Sequence, residues 1–274
     1  SMSSLFRVRT NIGSLRAYHI LTDINDRILK VAERISSGKR INRASDSPSG
    51  YYISRTMELD VLRLQQLQRN LERGINWLQT NDSRLSQVLD LLQEMYDVAS
   101  MGASGGITSD ERVGLQLGID GFLAEIENIL QSGVDAALYS GFTLGNLVGV
   151  SLTGSSVPSA ADLGITGLIL TGSASDASTI QNAQAALEAI KAAMTRILKD
   201  EEKIGSWIHR LEFQKAEASV DEVNQRASQS TITDADLAAE QVELTKLQIL
   251  QQTALAMLAQ SNTFPSAILS MVST

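Results

Sequence analysis

The sequence has no cysteine, only three prolines and 4% aromatic residues, and each shortage removes a class of protein. Without cysteine there is neither a disulfide framework nor a thiolate metal site. His19 and His209 are the only side chains that titrate near neutrality unperturbed. Neither lies in a metal-ligand or nucleophile motif, and H-E-x-x-H does not occur. No nucleophile, base and orienting group can be assembled, so the chain is expected to be no enzyme and to need no metal or cofactor. The glycines from Gly102 to Gly106 lack the lysine and preceding strand of a phosphate-binding loop. No apolar run approaches the ~18 residues of a membrane span, and residues 1–20 lack the apolar stretch of a secretory signal, so neither membrane insertion nor the Sec route is expected.

What is present favours long helices. The 274 residues are 43% hydrophobic, enough for a core, and Leu, Ile, Ala and Gln crowd the long segments. Pro48, Pro158 and Pro265 leave two very long stretches without the residue that most reliably breaks a helix. The net charge of −8 hides an asymmetry: the first 80 residues carry 13 Lys or Arg against 7 Asp or Glu, leaving 10 against 24 for the rest. The basic residues are spread singly along helical faces with no aromatic interleaving, which argues against nucleic-acid binding.

Ile12, Leu15, Ile20, Ile24, Ile28, Val31 and Ile35 recur at mainly three to five residues and predict an amphipathic helix ending at Ser36-Ser37-Gly38. A polar loop through Asn42, Asp46, Pro48 and Gly50 follows. From Tyr51 to Ala99 the positions Ile53, Met57, Val61, Leu64, Leu67, Leu71, Ile75, Leu78, Leu85, Val88, Leu92, Met95 and Ala99 step almost entirely by three or four, with Gly74 the one weak point. About 50 residues at ~1.5 Å each make a rod of roughly 75 Å, whose stripe other long helices must cover. After a loop over Met101 to Ser109, Leu115, Ile119, Phe122, Ile126 and Ile129 predict a shorter helix.

Residues 139–176 are dense in Gly, Ser and Thr. Val148, Val150 and Leu152 alternate like a strand, and Leu168 to Leu170 form a second candidate, which together predict small β-hairpins. Helix resumes near Asp176 and runs to about Ser228. Thr231-Ile232-Thr233-Asp234 supplies cap chemistry for a last helix carrying Leu237, Leu244, Leu247, Leu250, Ala254 and Leu258, which Asn262 and Pro265 should end. The fold expected is mainly α: an elongated antiparallel long-helix bundle or coiled coil, with small β-hairpins at one end and paired N- and C-terminal helices at the other. Residues 1–45 and 231–274 would form a terminal-helix inner core domain, and 46–230 a rod-like helical domain with its hairpin tip near 139–176. The terminal helices extend past the central bundle and need partners from other subunits.

Bland readings suffice for the remaining motifs. Asp200, Glu201, Glu202 and Lys203 read as a solvated helix face, since nothing builds a pocket around them. Asn81-Asp82-Ser83 formally matches a glycosylation triplet but lies in a helical rod. Serines such as Ser155, Ser156, Ser173 and Ser175 suit bacterial O-glycosylation better.

Two blocks in opposite halves carry a family resemblance. Arg34-Ile35-Ser36-Ser37-Gly38-Lys39-Arg40-Ile41-Asn42, followed by Ala44, Asp46 and Gly50, resembles the link between the innermost helix and the rod of bacterial flagellin. Ile232-Thr233-Asp234-Ala235-Asp236, Gln248-Ile249-Leu250-Gln251-Gln252 and Leu258-Ala259-Gln260-Ser261-Asn262 are similar to the family's terminal segment, and Asp162-Leu163-Gly164-Ile165 also looks like a flagellin segment. The resemblance covers essentially the whole chain and implies a short flagellin without a large outer variable domain. It would be a secreted, extracellular subunit of the bacterial flagellum that self-assembles into the helical filament used for motility. The resemblance further implies export by the flagellar type III apparatus without a cleaved signal, and partners in an export chaperone, a filament cap and junction proteins. Candidate polymerisation contacts are Ile24, Ile28, Val31 and Ile35 near the start, and Leu244, Leu247, Leu250 and Leu258 near the end. Terminal helices of ~20 residues are marginal alone and gain stability when their stripe is buried.

Many flagellins are sensed by a vertebrate innate immune receptor through a patch on the second long helix and an acidic residue on the third. The matching positions here are Leu92, Glu94, Met95, Val98 and Gly118, with Glu94 where the family has a key arginine and Gly118 near the expected acid. Weak or absent receptor activation is therefore expected. Two alternative functions compete with the filament subunit. A hook-filament junction protein shares the terminal-helix design, but the Gln-Ile-Leu-Gln-Gln ending favours flagellin. A type III translocator or pore-forming toxin would need a hairpin apolar enough to enter a bilayer, and the sequence has none.

Overall fold

The computed structural model describes residues 11–133, 142–143, 151–152, 163 and 177–272, and it is mainly α-helical. Five helices account for nearly all of this: α1 (Ile12–Ser37), α2 (Pro48–Gly102), α3 (Ser109–Asn128), α4 (Ala177–Thr233) and α5 (Leu237–Val272). A π-helical turn, Ile129–Gly133, extends α3. Two short strands, β1 (Phe142–Thr143) and β2 (Ser151–Leu152), pair antiparallel with Phe142 opposite Leu152. The strand expectation touches the described residues only at Leu152; Val148, Val150 and Leu168 to Leu170 lie outside them. No described helix is long and apolar enough to cross a membrane.

The chain forms two compact units, one from residues up to Val61 and from Val223 onward, the other from Leu62 to Glu222. The helices α2 and α4 contribute to both.

In the Leu62–Glu222 unit the core follows heptads. Leu71, Leu78, Leu85, Leu92 and Ala99 repeat every seven residues along α2, interleaved with Val88 and Met95, and all are buried. This three-four alternation keeps one seam facing inward on a continuous helix. Gly74 and Asn81 complete the seam and are themselves buried, so the apparent weak point is a seam position where the helix continues unbroken. The Asn81 side chain donates to the Trp77 carbonyl at 2.9 Å, which occupies the amide nitrogen that a glycan would need. On α4, Ala183, Ala186, Ile190, Ala193, Ile197, Ile204, Leu211 and Ala218 form the matching seam, all buried, and Ile119, Ile126, Leu130 and Leu163 close the same core. Paired polar side chains give the direction: Gln65 and Gln68 donate to Glu222, while Lys215 pairs with Glu72. Partner numbers rise along α2 as they fall along α4, so the two helices run antiparallel.

The turn between α2 and α3 is held from inside. Thr108 and Glu111 form a reciprocal capping box, the Glu111 carboxylate accepting from the Thr108 backbone N–H at 2.7 Å. That hydrogen bond, with the Thr108 hydroxyl, holds the Glu111 carboxyl below its ordinary range. Arg112, fully buried, donates to the Gly102 carbonyl and, at 3.0 Å, to the Ser104 carbonyl. A guanidinium is favoured there, because the last carbonyls of α2 have no helical partner and carry the negative end of its dipole.

In the other unit, α1 starts at Asn11, whose side-chain oxygen accepts from the Ser14 N–H at 3.0 Å, and ends at Gly38, where φ is 69°. That left-handed geometry is routine for glycine alone. The link after α1 is tied to the link after α4: Arg40 N–H donates to the Thr233 carbonyl at 2.6 Å, and Ala235 N–H to the Gly38 carbonyl at 3.0 Å. Asp46 folds back to accept from the Arg43 and Asn42 N–H groups, which hold its carboxyl below the ordinary range. Pro48 belongs to α2, where it opens the first turn and its missing N–H costs nothing.

Two expected boundaries are corrected. Thr231 and Thr233 do not cap the last helix. Their hydroxyls donate back to Ser228 and Gln229 carbonyls inside the final turn of α4, and Asp236 caps α5 by accepting from Ala238 and Ala239 N–H groups. The last helix also runs through Pro265 to Val272.

Candidate functional site

Helices α1 and α5 form an antiparallel pair recorded in their polar contacts. Asn11 meets Ser261, Ser14 meets Asn262, Asn25 meets Gln251, Arg27 meets Glu243 and Arg34 meets Glu240. The two ion pairs, each at 3.0 Å, remain partly exposed. Such pairs contribute only about 0–1 kcal/mol each and act mainly on register. The buried seam between the helices is narrow: Ala17, Ile24 and Val31 on α1, spaced by sevens, and Leu247 and Ala254 on α5, also seven apart.

The eight expected polymerisation residues divide across this pair. Ile24, Val31 and Leu247 are buried within it, while Ile28, Ile35, Leu244 and Leu258 are half-buried and Leu250 is exposed. Leu15 and Ile20, expected on the same stripe, instead face outward, because the heptad register fixed by Val31 and Ile24 brings Ala17 inside.

Outside the seam lies a second set of apolar positions. On α1 these are Leu15, Tyr18, Ile20 and Leu29, the last 68% exposed; on α5 they include Val242 at 70%, Ile249, Leu250, Leu255 and Met257. Val242 and Ile249 are one heptad apart, as are Leu250 and Met257, so the outer faces carry the same periodicity as the inner one. An exposed apolar surface of this extent marks an interaction site. The sequence signal for it was present in α5, whose apolar residues fall on several faces rather than one stripe, the pattern of a helix covered on more than one side.

The receptor-equivalent positions do not share a surface. Leu92 and Met95 are fully buried in the seam of α2, whereas Glu94 points outward. Val98 and Gly118 lie side by side, with a Cβ at Gly118 falling 3.8 Å from Val98 Cγ1. His19 and His209 are both exposed. Glu201 is partly buried, and burial followed by the charges of Asp82 and Asp90 pushes its carboxyl up. Among the described residues no group of three or more His, Cys, Asp or Glu could hold a metal ion.

The apolar pattern alone passes over Arg112, although counting back seven from Ile119 and fourteen from Ile126 lands on it. A charged residue at a heptad core position is the signal that could have found it.

One seam closed within the chain and others left open to solvent define a helical structural protein. Residues 8–134 match the family model described as "Bacterial flagellin N-terminal helical region", and residues 187–272 match "Bacterial flagellin C-terminal helical region". The chain is 31% identical to a flagellin of Halalkalibacterium halodurans over 89% of its own length and 91% of that protein's. It is 29% identical to flagellin FlaB1 of Treponema pallidum, and 27% identical to the flagellar filament 30.7 kDa core protein of Treponema maltophilum, in each case over 97% of this chain and 99% of the relative. A solved structure of a putative flagellar hook-associated protein from Vibrio parahaemolyticus shares the fold, with a TM-score of 0.58 and 18% identity, covering 69% of this chain and all of that one.

The chain belongs to the bacterial flagellin family. It is accordingly a structural subunit of the flagellar filament, a polymer component of the flagellum and not an enzyme.

Proposed function

We propose that this flagellin polymerises by packing further copies onto the outer apolar rows of α1 and α5, while the inner seam holds the two helices together within each subunit. One observation carries this reading: Leu29 and Val242 stay about 70% exposed in helices whose seam residue Leu247 is fully covered. Ile24, Ile28, Val31, Ile35, Leu244, Leu247 and Leu258 would set the spacing of the pair, and Leu250 would touch a neighbour directly. Residues 1–45 with 231–274 would form the inner part of the filament wall. Residues 46–230 would form the outer antiparallel bundle, with β1 and β2 in a hairpin tip. The same apolar rows need cover before assembly, which is the role for an export chaperone. Type III secretion, a cap and junction proteins complete the expected set of partners.

Electron microscopy after adding filament seeds tests the proposal, comparing the intact chain, a chain ending at Asp236 and Leu29→Asp. Filaments from the intact chain alone are expected. Normal filaments from Leu29→Asp would remove the outer row from the assembly surface. Intact chain found only at hook tips would replace the filament role with that of a junction protein.

Receptor activation is expected to be weak or absent. Exposed Glu94 carries the wrong charge, Gly118 carries none, and Leu92 and Met95 serve the core. Reporter-cell stimulation by the purified monomer, at the level of a conventional flagellin, would overturn this.

A further inference from the structure

The continuation of α5 through Pro265 leaves a debt inside the helix. Proline has no N–H, so the Ser261 carbonyl, four residues back, loses the donor that an ordinary residue at 265 would supply. The Asn11 side-chain amide fills that place, donating to the Ser261 carbonyl at 2.7 Å. The other half of the same carboxamide starts α1, its oxygen accepting from the Ser14 N–H at 3.0 Å. The Ser261 hydroxyl also reaches that oxygen at 3.4 Å, and the Ser14 hydroxyl donates to Asn262 at 2.7 Å. The approach is close: a Cβ at Gly13 would fall 2.9 Å from the Ser261 hydroxyl oxygen.

We propose that Asn11 is a positioning residue for filament assembly, one that locks the register of α1 on α5 by donating to the carbonyl that Pro265 frees. A helix that continues through a proline offers one carbonyl without its i+4 donor where its other interior turns offer none. The residue that caps α1 can satisfy it in only one register. That register decides which outer residues of α1 lie beside which of α5, and hence the surface offered to the next copy. The inference rests on assembly through the terminal helices.

The test separates this role from ordinary helix capping. Aspartate and serine both cap a helix as well as asparagine does. Aspartate cannot donate, and serine is too short to reach Ser261. The critical concentration for growth on seeds would be measured by pelleting, for the full chain and for Asn11→Asp, Asn11→Ser, Pro265→Ala and the two double variants. Asn11→Asp and Asn11→Ser are expected to raise it about tenfold, the effect of orphaning a partly buried carbonyl. With alanine in place of Pro265 the helix supplies its own N–H, and the penalty should shrink to about twofold or less. The main cooperative unfolding transition of the monomer, carried by the buried seam of α2 and α4, should be unchanged by Asn11→Asp and Asn11→Ser, which excludes global unfolding as the cause. Asn11→Asp and Asn11→Ser chains that assemble like the parent would overturn the proposal, as would an Asn11 penalty equally large in the Pro265→Ala background. Failure of the unaltered chain to grow on seeds would instead strike at the assembly reading.

Discussion

Between Leu62 and Glu222, the α2 seam from Leu71 to Ala99 is covered at every turn, with Leu71, Leu78, Leu85 and Leu92 fully buried. In the α1–α5 unit the helices are no less apolar, yet Leu15, Tyr18, Ile20 and Leu29 face solvent and only Ala17, Ile24 and Val31 are buried along α1. The difference is one of helix number at each seam. Residues from three helices and Leu163 meet in the first unit, whereas two helices can bury only the line along which they touch. Apolar content therefore goes into a closed core in one unit and stays in part on the surface in the other.

The comparison can be broken most directly at Leu92. Leu92→Ala should destabilise the monomer by about 2–5 kcal/mol, read from urea or thermal unfolding by circular dichroism. Leu29→Asp should leave that transition within about 0.5 kcal/mol while blocking seeded growth. Equal losses of monomer stability would show that α1 also depends on its outer face for folding.

Arg112→Leu comes next. It removes the donor for the Gly102 and Ser104 carbonyls and should cost about 1–3 kcal/mol of monomer stability, with faster hydrogen exchange at the amides near Ser104. A neutral result would mean that apolar packing serves this turn as well as the guanidinium.

The smallest effect is expected at Glu201. Its folded-state pKa lies above the unfolded one, so as pH rises the unfolded chain releases its proton first. Stability contributed there is lost through that interval and stays lower at neutral pH. Glu201→Gln should raise the melting temperature slightly at pH 7 and leave it unchanged in acid, below both pKa values.

Much of this was legible in the residues. The sevenfold recurrence from Leu71 to Ala99 follows from the spacing that a long packed helix demands, and the breaks at Gly38 and near Met101 follow from backbone chemistry. What stayed hidden depends on contacts distant in sequence. Pro265 reads as a stop until Asn11 is seen supplying a hydrogen bond to the carbonyl it frees. Thr231 and Thr233 read as caps because a hydroxyl can serve either the start of one helix or the end of another, and only the fold decides. Periodicity identifies an apolar face but does not say whether the cover comes from the same chain, so Leu15 and Ile20 read as members of the inner stripe although they face outward.

The bridge between the links after α1 and α4 also has a consequence for folding order. Arg40 and Ile232, bonded there, are 192 residues apart, and Asn11 and Ser261 are 250 apart. Closing loops of that length from an open chain is slow, since contact order governs the search. Once Gln65 and Gln68 hold Glu222, the Arg40–Ile232 contact has only 25 residues left to close on one side and 10 on the other. Pairing can then spread from Ser54 and Gln229, through the bridged links, toward the chain ends. Asn11 and Ser261, at the far end of the pair, then fix its final register.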